Sequence, residues 1–171
     1  ICLCSLHIFH IEYFHKKFLI SQGLHFHLIL RLQDMVEVTD NFLSEDDCYS
    51  VVDYCKMASY SYGEVDYPGA IPTGMIHEIS ETSEIYKLFQ SKTENLVTEY
   101  PLDRMYVNCF APGENPYFHI DGSHGVTFLF YAIEEWNIEM HGETQFFIDD
   151  QIYGVLPYPN RMIKFDANIM H

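Results

Sequence analysis

The chain has 171 residues, of which 48% are hydrophobic and 16% aromatic, and carries a formal net charge of -16. That length holds one domain with a substantial core and is short for two, and the apolar share excludes a disordered chain. With only nine Lys and Arg in total there is no basic surface for a phosphate backbone, so nucleic acid drops out as a partner.

The five cysteines, Cys2, Cys4, Cys48, Cys55 and Cys109, have neither zinc-type nor disulfide-scaffold spacing and read as free thiols of a reducing compartment. No stretch approaches the roughly 18 apolar residues of a membrane span. The expectation is a cytoplasmic protein with no membrane partner.

The sequence begins at Ile1, and its first methionine is Met35. Residues 1–34 hold five of the ten histidines, and their apolar residues keep neither a period of two nor one of 3.6. Lys16 and Lys17 interrupt what would be the apolar centre of a signal peptide. The segment reads as translated upstream sequence, with an accessory strand or helix packed on the domain as the rival reading. A histidine-rich metal tract is a poorer third, because the spacing suits no metal. At the other end His171 directly follows a strand-like run. The domain is therefore expected to occupy 35–171 and to be truncated at its C-terminus.

From Met35 the pattern sharpens. "VEVTDNFL" (36–43) alternates as a strand, and Ser44 with Asp47 three residues later opens a helix over "SEDDCYSVVDYCKM", whose Cys48, Val51, Val52 and Cys55 share one face. Gly63, Pro68, Gly69, Pro72 and Gly74 mark a loop. The next helix is predicted from Ser83 to Tyr100, with Ile85, Leu88, Phe89 and Leu96 as its buried stripe. After Pro101 come strands: "RMYVNCF", a turn "APGENP", "YFHID", "GVTFLFYAI", "GETQFFI" and "RMIKFD". Helices followed by short strands with Gly and Pro turns predict an α+β, mainly β domain: an antiparallel sandwich or barrel with the N-terminal helices packed outside.

His119 and Asp121 stand two apart in "YFHID" and so project from the same face of a strand. A carboxylate on the inner face of a small barrel needs a cation, and a divalent metal would supply it. Two His and one carboxylate on one side of an octahedral ion are the arrangement of non-haem Fe(II) oxygenases. His171, after the last strand, is the candidate third ligand. His124 in a Gly-flanked turn, His141 before a Gly and His77 in the helical half read as surface or hydrogen-bonded residues. By itself His-x-Asp is a weak signal, better read as a turn-capping carboxylate beside a packed histidine.

The wider context adds to this. "RMYVNCFAPGENPYFHIDGSHGVTFLFYAIEEWNIEMHGETQFF" followed by "PYPNRMIKFDANIMH" resembles the catalytic core of the Fe(II)- and 2-oxoglutarate-dependent dioxygenases of the prolyl 4-hydroxylase-like group. The shared features are the glycine turn, His-x-Asp, "TFLFY", "EEW", "GET" and "NRMIKF" in that order. The resemblance implies a double-stranded β-helix (jelly-roll) core, with His119, Asp121 and His171 as iron ligands. It implies Tyr131, Tyr106 and Asn108 as co-substrate-lining residues. It also implies 2-oxoglutarate and O2 as co-substrates, ascorbate as an accessory reductant, and hydroxylation of a C–H bond in a peptide or small-molecule substrate, a prolyl side chain being the family-level expectation.

Three departures stand out. Phe110 replaces a frequent tyrosine, "HGET" puts His141 where the family has a first glycine, and the sequence ends at His171, before the position at which the family anchors the distal carboxylate of 2-oxoglutarate with a basic residue. Arg104, Arg161 and Lys164 do not match that position. The competing expectation is a non-catalytic jelly-roll module that binds a ligand, or an inactive fragment.

Overall fold

The computed structural model describes residues 3–10, 35–63, 65, 67–97, 101–111, 113–114 and 116–171. The protein is mainly β, and the described residues form one large antiparallel sheet, a two-stranded ribbon and two α-helices.

Helix α1 spans Glu45–Met57. Ser44 is its N-cap: the Oγ accepts the Asp47 N–H at 3.2 Å and donates to the Asp47 carboxylate at 2.7 Å. Val51, Val52 and Cys55 are buried on the expected face, with Cys48 half-buried beside them. Helix α2, Glu84–Thr93, starts at Ser83 as predicted but ends sooner. Its last i to i−4 bond is Glu94 N–H to Gln90, after which Leu96 N–H reaches back only to Thr93. The final turn thus tightens, and Leu96, expected in the buried stripe, is 47% exposed. The last three residues assigned to that helix, 98–100, lie outside the described residues.

The strands are β1 (Leu3–His10), β2 (Val36–Thr39), β3 (Ser61–Tyr62), β4 (Met75–Glu78), β5 (Leu102–Phe110), β6 (Val126–Tyr131), β7 (Thr144–Ile148), β8 (Gln151–Val155) and β9 (Met162–Asp166). Seven form a sheet in the order β2-β9-β6-β1-β5-β4-β3, while β7 and β8 make a hairpin. The hairpin closes through Asp149 and Asp150, both at positive φ (51° and 62°), as a two-residue turn matched to strand twist requires.

Several elements differ from the sequence reading. The loop marked by Gly63 to Gly74 is flanked by two short strands that were not assigned, β3 before it and β4 after it. Here Gly74 is at φ 68°, and a Cβ on it would lie 2.6 Å from the Phe110 ring, so glycine lets β4 and β5 close up. The first strand is shorter than 36–43 because Asn41 turns the chain at φ 54°, and Asn160 brackets Leu43, accepting from its N–H and donating to its C=O at 2.9 Å each. "YFHID" is not a regular strand, although its backbone pairs as described below. β8 falls where no strand was assigned.

Leu3–His10 comes from the segment set apart above as upstream or accessory. In the folded chain it lies between β5 and β6, antiparallel to both, in the middle of the sheet. Its even residues Leu6 and Ile8, both fully buried, join Met105, Val107, Phe128 and Phe130 in a core closed by Val51, Cys55, Ile85 and Phe89 of the helices. The opposite face of the sheet carries Leu129, Tyr131, Ile163 and Phe165, packed with Phe146, Ile148 and Val155 of the hairpin. Helices thus cover one face and the hairpin part of the other. Among the described residues no helix is long and apolar enough to cross a membrane.

If β1 holds this central place, Ile8→Ala is expected to lower the unfolding free energy by about 2–5 kcal/mol, the usual loss on truncating a fully buried Ile. Chemical denaturation would read it, and a change within about 0.5 kcal/mol would take β1 out of the sheet.

Candidate metal centre

The site is made by two stretches that exchange backbone hydrogen bonds. His119 N–H donates to the His171 carbonyl at 2.9 Å, and His171 N–H donates to the His119 carbonyl at 3.0 Å. Such a pair places two residues directly opposite each other with side chains on one face. The two rings accordingly lie 4.7 Å apart, centroid to centroid. Asp121 N–H donates to the Ala167 carbonyl at 2.9 Å, and Phe147 N–H to the Met170 carbonyl at 2.8 Å, so the stretch before His171 is held between the His119 segment and β7.

One ligand atom from each of His119, Asp121 and His171 lies within 4.8 Å of the other two. The Nε2 atoms of His119 and His171 each lie 3.5 Å from a different Asp121 oxygen. An octahedral ion with bonds near 2.1 Å holds neighbouring ligands about 3 Å apart, so the spread is one that a single ion spans with small side-chain adjustments. The side chains of Asp121 and His171 are 3% and 4% exposed, and that of His119 is 20% exposed, so the cluster opens to solvent on the His119 side.

Both rings are oriented alike. His119 Nδ1 donates to the Tyr117 carbonyl at 2.9 Å and His171 Nδ1 to the Ile169 carbonyl at 3.0 Å. A carbonyl can only accept, so in the neutral ring the proton is on Nδ1 and the Nε2 lone pair faces Asp121. This is the second-sphere arrangement that prepares an imidazole for a cation. The fully buried Thr127 of β6 donates to Asp121 Oδ2, the oxygen that faces His171, at 2.6 Å. Burial pushes the Asp121 carboxyl up, but when the two rings carry their second proton the His119 hydrogen bond and the field of His171, with the Thr127 hydroxyl and His7, outweigh it and hold it below the usual carboxylate value. Phe146 and Phe165 pack around the His171 ring at 6.1 and 4.7 Å.

The remaining sequence candidates are placed as follows. Tyr106 stacks on His7 at 5.1 Å and on Phe9 at 5.5 Å, on the same sheet face as Thr127. Asn108 points the same way, its Nδ2 facing His7 Nε2 at 3.5 Å. The Tyr131 hydroxyl bonds Thr144 Oγ1 at 2.6 Å and the Val155 carbonyl at 3.3 Å, tying β6 to the hairpin, and burial pushes its pKa up. His77 bonds the Tyr54 hydroxyl and the Ser59 carbonyl, and His124 is exposed. His141 is at φ 55° and ψ -147°, a conformation natural to glycine. The cations are engaged: Arg104 with Glu78, Arg161 with Asp40 at 2.6 and 2.9 Å, and Lys164 with Glu37 at 3.2 Å.

His7 is the residue that the sequence reading passed over. Its ring is 6% exposed and its only signal was an alternation in "LCSLHIFH" too short to separate from its irregular surroundings. No protein-family model matches the chain, and no curated protein matches it.

Burial pushes the His7 imidazole down to about 3 from an ordinary 6.5; Asp121 works against this shift, while His171, His119 and Arg104 add to it. Between these values the unfolded chain binds a proton that the folded chain refuses, so stability falls as pH drops below about 6.5, by up to ~1.4 kcal/mol per pH unit. Urea unfolding between about pH 7 and pH 4 reads the slope. Replacement His7→Leu is expected to flatten it by nearly that amount, and equal slopes would place the ring in water.

Proposed function

We propose that the protein is an Fe(II)- and 2-oxoglutarate-dependent dioxygenase of the prolyl 4-hydroxylase-like group that hydroxylates a C–H bond. The observation that carries this reading is the convergence of His119, Asp121 and His171, two imidazole nitrogens and one carboxylate oxygen within 4.8 Å of one another. That donor set suits a non-haem ferrous ion and leaves the opposite side for other ligands. The hairpin against the large sheet, extended by the pairing of His119 with His171, supports a double-stranded β-helix as the scaffold.

Bound ferrous ion would supply O2 activation coupled to decarboxylation of 2-oxoglutarate to succinate and CO2. The chain's own groups do the rest. The Tyr117 and Ile169 carbonyls fix the imidazole orientation, Thr127 holds the carboxylate, and Phe146 and Phe165 exclude water behind His171. Tyr106 and Asn108 would line the co-substrate. Tyr131 joins them only by sharing its hydroxyl between Thr144 and a ligand oxygen. Close in sequence to His119, Tyr117 meets Tyr67 edge to face at 5.8 Å, an aromatic pair that would suit a prolyl ring.

Anaerobic titration is expected to give one Fe(II) per chain, with affinity lost in the doubly substituted His119→Ala, Asp121→Ala protein. Thr127→Val, which keeps the shape and removes the hydroxyl, is expected to weaken binding by about 10–100-fold. Succinate release from 2-oxoglutarate that needs both iron and O2 would establish the reaction. Iron binding untouched by the double substitution would remove the site, and absence of stoichiometric iron would leave a non-catalytic module.

A further inference from the structure

The buried ring of His7 has one nitrogen with no hydrogen-bond partner among the described residues. Its Nε2 faces Ser5 Oγ at 3.0 Å and Asn108 Nδ2 at 3.5 Å, whereas its Nδ1 has no hydrogen-bond partner. An amide nitrogen can only donate, so Nε2 is the acceptor and the proton of the neutral ring sits on Nδ1. The result is a buried N–H without an acceptor, and buried donors in native proteins nearly always have one.

The register shows what lies around it. Arg104, Phe9, Thr127 and Phe165 are successive cross-strand partners on β5, β1, β6 and β9, and Tyr106, His7, Leu129 and Ile163 form the adjacent row on the same face. The first row touches the candidate metal centre twice, through Thr127 on Asp121 and Phe165 against His171. His7 is one row away, with Asp121, His171, His119 and Arg104 as the charged groups acting on it. A dication held by a single carboxylate keeps a net positive charge, which favours an anionic oxygen in the adjacent space.

We propose that strand β1 supplies a ligand-binding residue to this site, His7 donating its Nδ1–H to an oxygen of a small carboxylate bound beside the metal. Ser5 and Asn108 hold the ring in the donating tautomer, and the Tyr106 ring stacked on it fixes its plane. The inference rests on the metal-centre reading above. It gives the central strand a role in the site as well as in the core, and accounts for a polar ring in a row of apolar ones.

Mn(II), which binds like Fe(II) but is inert to O2, allows the test on the whole chain by calorimetry. The first titration is with Mn(II), the second with 2-oxoglutarate on the Mn(II)-loaded protein. His7→Leu is expected to leave Mn(II) affinity unchanged and to weaken 2-oxoglutarate at least tenfold, while His7→Asn, whose amide N–H can stand near the Nδ1 position, recovers most of the loss. If His7→Leu does not fold, His7→Gln, with its amide near the Nε2 position instead, is expected to show the same weakening. Mn(II) binding with 2-oxoglutarate affinity indifferent to the His7 replacement that folds overturns this inference alone. Failure of the unaltered chain to bind Mn(II) overturns the metal-centre reading and this inference with it.

Discussion

Two backbone hydrogen bonds between His119 and His171 decide the geometry of the candidate site. They join stretches far apart in sequence and set their register, and register fixes which side chains share a face. A slip of one residue would turn either imidazole away from Asp121. The bonds from Asp121 N–H to Ala167 and from Phe147 N–H to Met170 guard against that slip by fastening the C-terminal stretch on both sides. Once the register is set, the imidazoles need only their Nδ1 bonds to the Tyr117 and Ile169 carbonyls to present both Nε2 atoms to one place.

The large sheet serves as the base of this arrangement. Its helix-facing side is largely apolar, with Leu6, Ile8, Phe128 and Phe130 fully buried beneath Phe89 of α2, while His10 on that side bonds Thr93 of the helix, and that core keeps the strands in position. Its other side is apolar under the hairpin, at Leu129, Ile163 and Phe165, and becomes polar toward β1 and β5, where Ser5, His7 and Asn108 meet. A sheet face that changes character across its width is costly unless the polar part is satisfied, and the candidate site lies over the boundary. Thr127 bridges the two regions: it is fully buried, and its hydroxyl has the one carboxylate of the cluster within 2.6 Å.

Charge is arranged to leave the site's own groups dominant. The chain is strongly acidic, yet its strand-region cations are held by carboxylates at the periphery, Arg161 by Asp40 and Lys164 by Glu37. These exposed pairs contribute little to stability. Their consequence is local: the positive charge a bound cation would bring meets Asp121 as its closest counter-charge, with Arg104 the cation acting on the His7 side.

The amino-acid sequence by itself determined what short-range physics controls. Ser44 and Ser83 start helices because a side-chain oxygen three residues ahead of an N–H caps it, and "TFLFY" and "MIKF" are strands because near-continuous apolar runs bury on both faces. The side-by-side placement of His119 and Asp121 was legible for the same reason, alternation over two residues. Tertiary structure decided the rest. Leu3–His10 becomes a central strand only because β5 and β6 each offer it an open edge, which no local pattern in "LCSLHIFH" announces. The short strands β3, β4 and β8 likewise exist through their partners. The gathering of His171 with His119 and Asp121, and the burial of His7 near them, depend on pairing between distant stretches, whose register is written in complementary edges and cores and not in any one segment.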